Sequence, residues 1–544
     1  MHRTSWVFAL AWVVAAGAIV VGLGSPPLMD GDEGRNAEVA REMKETGSLL
    51  VPLYNGMPYL DKPALYFDMV AGSLAALGDT ETAARLPSAV FGLLTLLLVW
   101  AFCRRVYGGR TAAIAVVVIA TVPLFIVFSR TVIFDGALTF FVCASLLAGF
   151  TALESSDQPG AGRWYTLSVL AAAMATLIKG PVGFLLPLLG LLVYARVRKV
   201  SGGKRFFSPL NVAVFLVPVL AWFVALSIQR PDFPYYGLVK ESLMRFTSTA
   251  EFRRGAPVYY YIPVIALAFF PWSILLPEMI VRGWRRRGAA LGADAMLAIF
   301  ALVVVVFFSI SKSKLPGYVL PAIVALGVLV ARVFDLAMTY PEGAPAALIR
   351  RGTLVLTAVC GAAGVFLVGV QLRLVPLQAL FHLSDAELER AQAALIPLIV
   401  WFLGIAGAAA AARASRRIPA MLTVFALPPF LLMAVGSGQL QAYADGRSSR
   451  PLAQAIQRDS PGGVEVACYR CFPPGLAFYL GRSIVVISNN GHEIPSNYIP
   501  FYLKTSPWPE QMVRLDNADA WIAATKDPIF LLSRGASPQP WVAE

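Results

Sequence analysis

Apolar residues along this chain fall in long unbroken runs, not in the two-residue or 3.6-residue stripes of a soluble domain. The runs approach the roughly 20 residues that cross a bilayer as helix, beginning with Trp6 to Leu23 and ending near Ile418 to Val435. They predict an all-α polytopic membrane protein with about thirteen transmembrane helices. The first run is longer than the apolar part of a secretory signal, and Gly22 to Pro27 makes a poor cleavage site, so it is expected to stay as an anchor.

The polar stretches between the runs alternate in character. Basic residues gather in every second connection: Arg104, Arg105 and Arg110; Arg163; Arg196, Arg198, Lys199, Lys204 and Arg205; Arg282 and Arg285 to Arg287; Arg332, Arg350 and Arg351; Arg413, Arg416 and Arg417. The positive-inside rule makes these connections cytoplasmic. The other loops then face outward, including a long first loop at 25–84, and so does the tail. The expected division is a membrane unit at 1–435 and an outward unit at 436–544. In the tail, "GVEVACY" and "SIVVIS" read as strands, while "SSRPLAQAIQRDS" and "PPGLAFYLG" read as helices, giving a small α/β module.

Composition confirms the class: 58% hydrophobic and 14% charged residues with a mean hydropathy of +0.67 exclude an ordinary soluble domain. The formal charge of +13 is mostly a topology signal, and no nucleic-acid motif accompanies it. Of the five cysteines, Cys103, Cys143 and Cys360 lie in or beside apolar runs and read as small core residues. Cys468 and Cys471 form a Cys-x-x-Cys in the tail, where an oxidising compartment favours a disulfide and zinc would need two more ligands.

The first outward loop contains "DEGRNAEVAREMKETG", whose spacing predicts an amphipathic helix with Asp32 and Glu33 near its start and Gly47 at its end. Then comes "PYLDKP", with Asp61 and Lys62 just before a proline that can open a helix. "FDGALTFF" puts Asp135 at the outward end of a span, where a simple helix cap is the alternative reading. "TLIKGPVG" puts Lys179 at another outward end, where snorkelling toward headgroups is the alternative. "KESLMRFTSTAEFRRGAPVYYY" adds Arg245, Arg253 and Arg254, and "SKSKLPGYVLP" adds Lys312, Lys314 and Tyr318. Two acids and several cations at one membrane face fit an anionic lipid headgroup with a carboxylate beside it. The three histidines, His2, His382 and His492, lie outside these segments, so carboxylate chemistry is the expectation.

In this order, "DEGRNAEVAREM", "PYLDKP", "FDGALTFF", "KGPVG", "ESLMRF" and "SKLPGYVLP" resemble the membrane glycosyltransferases of the GT-C superfamily. The likeness is nearest to the lipid A aminoarabinose transferases and extends to protein O-mannosyltransferases. It implies transfer of a sugar from a polyprenyl (undecaprenyl) phosphate to an acceptor on the periplasmic side of a bacterial inner membrane. Carried over residue by residue, it implies catalytic roles for Asp32 and Asp135. It also implies phosphate and substrate contacts by Glu33, Asp61, Lys62, Lys179, Arg245, Lys312, Lys314 and Tyr318. Asp61 stands where relatives usually have Glu. Relatives carry a His shortly before the tyrosine run, whereas this chain reads "EFRRGAPVYYY", so no metal or other cofactor is expected. A flippase of lipid-linked sugars is the alternative activity; a protein hydroxyl or a surface polysaccharide is the alternative acceptor to lipid A.

Overall fold

The computed structural model describes residues 2–244, 255–285, 292–374, 385–459, 464–525 and 528–533. Helix α1 (His2–Val20) leads into α2 (Asp32–Thr46), a small hairpin and α3 (Leu65–Leu77). The apolar helices α4 (Glu81–Val106), α5 (Gly109–Ala120), α6 (Pro123–Ser129), α7 (Asp135–Glu154), α8 (Ala161–Lys179), α9 (Val182–Arg198) and α10 (Pro209–Gln229) follow. Among the described residues, nine helices are long and apolar enough to cross a membrane, or up to eleven if two bent pairs each count as one span. The pair α5 and α6 bends by 74° where Pro123 opens α6 and has no amide to continue the ladder. The chain is thus a multi-pass membrane protein. Helix α7 is largely enclosed by its neighbours, while α10 leaves most of its apolar surface uncovered, as a lipid-facing helix does.

Helix α2 starts at Gly31 (φ 95°) and stops at Gly47 (φ 68°), two backbone positions that a side chain would strain. Residues 36 to 43 are all buried, so the helix is covered on both faces instead of lying open on a surface. Two of its buried polar residues pair within the helix. Arg41 donates from Nε and Nη2 to the two Glu38 oxygens, each at 2.7 Å. Strands β1 (Leu53–Tyr54) and β2 (Met57–Pro58) form a tight hairpin, with Asn55 and Gly56 both at positive φ, as a two-residue turn of matching twist requires.

What covers α2 on its second face is the end of the chain. The helix Pro428–Asp445 runs past residue 435, and the sheet begins later, at β3 (Glu465–Tyr469). With β4 (Val485–Ser488), β5 (Met512–Arg514) and β6 (Ile529–Ser533), it makes a four-stranded parallel sheet in the order β5-β4-β3-β6. The loops of this module grip the region before α3. Asn55 exchanges a reciprocal pair of hydrogen bonds with the Ile484 backbone, each 2.9 Å. Tyr479 accepts from the Leu28 amide at 2.7 Å, and Tyr54 donates to the Pro474 carbonyl at 3.0 Å. Gly34 packs so tightly that a Cβ there would fall 2.7 Å from the Gly475 Cα.

Candidate active site

The adjacent acids that open α2 occupy different surroundings. Both suit the positive end of the helix dipole. Glu33 is buried, with Oε1 and Oε2 taking hydrogen bonds from Arg85 Nε (2.8 Å) and Nη2 (2.9 Å). The same oxygens accept from the amides of Val132 and Met29, both at 3.1 Å. Arg85 also donates to the carbonyls of Leu23, Pro26 and Pro27. Glu33 therefore ties three chain segments together and has no lone pair left for a substrate. Asp32 is 54% exposed at its side chain and pairs with Arg35. Arg35 in turn reaches the Pro495 carbonyl at 3.2 Å and lies 5.7 Å over the Tyr59 ring. Burial works against the Arg35 charge, and its neighbours Tyr59, Asp32, Tyr54 and Asp61 outweigh that and hold it protonated.

A second group forms where α7 starts and α8 ends. Asp135 sits in the first turn of α7 and Lys179 in the last turn of α8, each at the dipole end its charge favours. They pair at 2.6 Å, nearly buried. Lys179 Nζ lies 4.8 Å from the Phe134 ring centroid and 4.7 Å from that of Tyr318. The turn carrying Tyr318 approaches closely because residue 317 is glycine: a Cβ there would meet the Phe128 ring at 2.4 Å and Asp135 Oδ1 at 3.3 Å.

Lys62 joins this group through the same aromatic ring, with Nζ 5.9 Å from the Phe134 centroid. Its carboxylate partner is Glu241, on the π-helix Tyr235–Met244. Asp61, the neighbour of Lys62, is buried and accepts from Tyr236 Oη (2.6 Å) and the amides of Asn497 and Tyr498 (both 2.9 Å). It thus anchors Lys62 between the π-helix and the C-terminal module. Lys312 is exposed. Lys314 is buried and donates to the carbonyls of Ala256 (3.1 Å) and Ser311, closing the loop ahead of Tyr318. Arg245, Arg253 and Arg254, with the opening residues 251–254 of the "EFRRGAPVYYY" stretch on which the metal expectation rests, lie outside the described residues.

Of the residues singled out in the sequence, Lys62, Asp135, Lys179 and Tyr318 converge on Phe134, and Asp32 meets the same region through Arg35, Tyr59 and Asp61. Arg35, Arg85, Phe134, Tyr236 and Glu241 complete the arrangement and carry no separate signal in the sequence. Arg35 stood inside a quoted motif, three residues after Asp32, the spacing at which helix side chains meet. A cavity of about 250 Å³ between α7, α8, α9 and α10 is lined by none of the candidate residues.

The family described as dolichyl-phosphate-mannose-protein mannosyltransferase matches residues 61–222, which contain Asp61, Lys62, Asp135 and Lys179. Undecaprenyl phosphate-alpha-4-amino-4-deoxy-L-arabinose arabinosyl transferase of Serratia proteamaculans is 28% identical over 60% of this chain and 59% of its own length. The protein of that name from Pseudomonas aeruginosa is 30% identical over 57% of this chain and 56% of its own. The chain thus aligns with less than two thirds of either curated relative. The crystal structure of ArnT from Cupriavidus metallidurans bound to undecaprenyl phosphate superposes with a TM-score of 0.80 at 26% identity, covering 96% of this chain and 94% of that one. This chain has the ArnT fold. The apo form of the same ArnT gives 0.81 at 25% identity over the whole of this chain. The superposition takes in the membrane helices and the C-terminal sheet together, so the GT-C likeness read from the motifs extends to the architecture.

Proposed function

We propose that this chain is a glycosyltransferase that moves a sugar from undecaprenyl phosphate to an acceptor on the periplasmic side of the inner membrane. In this reading residues 1–435 are the catalytic membrane unit, and residues 436–544 brace its first loop. The donor named for its relatives, undecaprenyl phosphate-4-amino-4-deoxy-L-arabinose, is the first candidate substrate, and lipid A the first acceptor. The observation that carries the proposal is the approach of Lys62 and Lys179 to the same ring, that of Phe134, at 5.9 and 4.8 Å. Two lysines so placed suit the two anionic oxygens of a lipid phosphodiester.

In the reaction, the bond from the anomeric carbon to the donor phosphate breaks as the acceptor oxygen bonds to that carbon. Negative charge grows on the leaving phosphate, and fixed cations stabilise it most in the transition state. Lys62 and Lys179 serve there, with Asp135 holding Lys179 in place. The phosphate takes over at Lys62 from the Glu241 carboxylate. Asp32, partly open to solvent and steadied by Arg35, receives the acceptor proton where the acceptor is a hydroxyl, and positions it where the acceptor is a phosphate.

The test is transfer from a panel of labelled polyprenyl-phosphate sugars by purified protein, wild type beside Asp32→Asn and Lys62→Ala. Transfer by wild type and loss in both folded variants is the expected result. Movement of the labelled lipid across vesicles with no transfer overturns it in favour of a flippase.

A further inference from the structure

The C-terminal module carries two cysteines that the reaction does not use, at the root of the turn that touches the catalytic loop. Cys468 is fully buried in β3, and its thiol is hydrogen-bonded to that of Cys471. The chain doubles back between them because Arg470 adopts a positive φ of 51°. Both residues address one point on the neighbouring strand. Cys468 is in register with Leu532 of β6, and Cys471 Sγ approaches the Leu532 carbonyl at 3.5 Å. The next residues are the ones that reach the site. Phe472 packs edge-on against Tyr54 at 5.4 Å, Pro474 accepts from Tyr54, and the Gly475 amide donates to Asp30 at 3.0 Å. Asp30 lies two residues before Asp32.

We propose that Cys468 and Cys471 close into a disulfide that staples the 472–475 turn against the loop carrying Asp32. The inference rests on the periplasmic placement of the module proposed above, which gives it an oxidising compartment. The oxidant is a thiol–disulfide exchange donor, RS–SR. Cys471, the half-buried sulfur, attacks it as thiolate and releases one RS⁻. Cys468 then gives up its proton and attacks the Cys471 sulfur, expelling the second RS⁻. Two protein thiols lose two electrons and two protons, and one donor disulfide becomes two RSH. The bond to Cys471, and after it burial, push the Cys468 thiol above its ordinary value, which agrees with Cys471 reacting first.

The thiol state is read directly, independent of any transfer activity. Membranes containing the full chain are quenched with an alkylating reagent, and the 464–482 region is mapped by mass spectrometry with and without prior reduction. The expected result is an unalkylated, cross-linked Cys468–Cys471 pair that takes two labels after reduction. Two labels without reduction, in membranes and also after purified protein has met oxidised glutathione, overturn the proposal. Labels in membranes but a cross-link with oxidised glutathione support the pair and overturn the periplasmic placement instead. The staple is tested by amide hydrogen exchange over residues 30–36, expected to rise several-fold on reduction and equally in Cys471→Ser. Unchanged exchange in both overturns the coupling to the loop.

Discussion

Asp32 and Glu33 are consecutive residues of one motif, yet the structure sets them in opposite settings. Glu33 is closed in by a bidentate arginine and two backbone amides, whereas Asp32 keeps half its side chain open. The same contrast separates Asp61, filled by Tyr236 and two amides, from Lys62 beside it, whose ammonium meets the Glu241 carboxylate and the Asp61 carbonyl. A carboxylate with every lone pair taken is part of the scaffold. One that faces a lysine or open space is available to a ligand. Paired acidic residues in a motif therefore divide the work: one holds the loop so that its neighbour is presented.

The sharpest way to break this comparison is Glu33→Gln, which leaves the buried Arg85 guanidinium without its counter-charge. It is expected to cost about 3–5 kcal/mol, seen as a large fall in the thermal midpoint in detergent or as failure to recover folded protein. A midpoint like that of wild type would make Glu33 a binding residue after all. Asp32→Asn is the counterpart. Transfer is expected to fall about 10²–10⁴-fold, while the midpoint stays where it was because the side chain is half exposed. A loss of stability matching that of Glu33→Gln would erase the distinction.

A third experiment uses pH on a group deeper in α2. Burial pushes the Glu38 carboxyl up to about 8 against the pull of Arg41. The folded chain then holds a proton that the unfolded chain releases near pH 4.5, so stability declines as pH rises from about 4.5 to about 8 and levels off above. The thermal midpoint of wild type is expected to fall across that window and that of Glu38→Gln to fall less; parallel profiles would assign the slope elsewhere. The smallest effect is at Lys62. Glu241→Gln is expected to lower KM for the lipid-phosphate donor a few-fold with little change in kcat, because the phosphate no longer competes with a carboxylate. A raised KM would show that Glu241 helps to seat the donor.

Much of this was legible in the sequence, for physical reasons that also set the limit. Runs of apolar residues announce spans, and Gly47 marks the end of α2 because a helix needs a defined stop. Lysine and aspartate at the outward ends of apolar runs stood out because the membrane makes charge conspicuous. The partners did not stand out. Arg85 lies within a span that reads "TAARLPSAV", and nothing local says that it reaches Glu33. Asp61 is held by the amides of Asn497 and Tyr498, and backbone groups leave no mark in a sequence. Hydropathy also predicts an amphipathic α2 at a surface. The helix is covered on both sides because the loops and the short helix Leu476–Leu480 of the C-terminal module supply the second face.

That arrangement has a consequence for how the protein is made. Asp30 waits for Ser449 and Gly475, Asn55 for Ile484, and Asp61 for Tyr498, partners separated from them by more than 400 residues. A chain synthesised from its N-terminus at about 5–20 residues per second reaches them on the order of tens of seconds later. Through that interval, membrane spans are inserted while α2 has its contacts to Arg85 and Val132 but lacks its C-terminal partners. Assembly order thus has two stages: the first loop packs on the membrane helices early, and its outward face is covered only once the C-terminal module has been made.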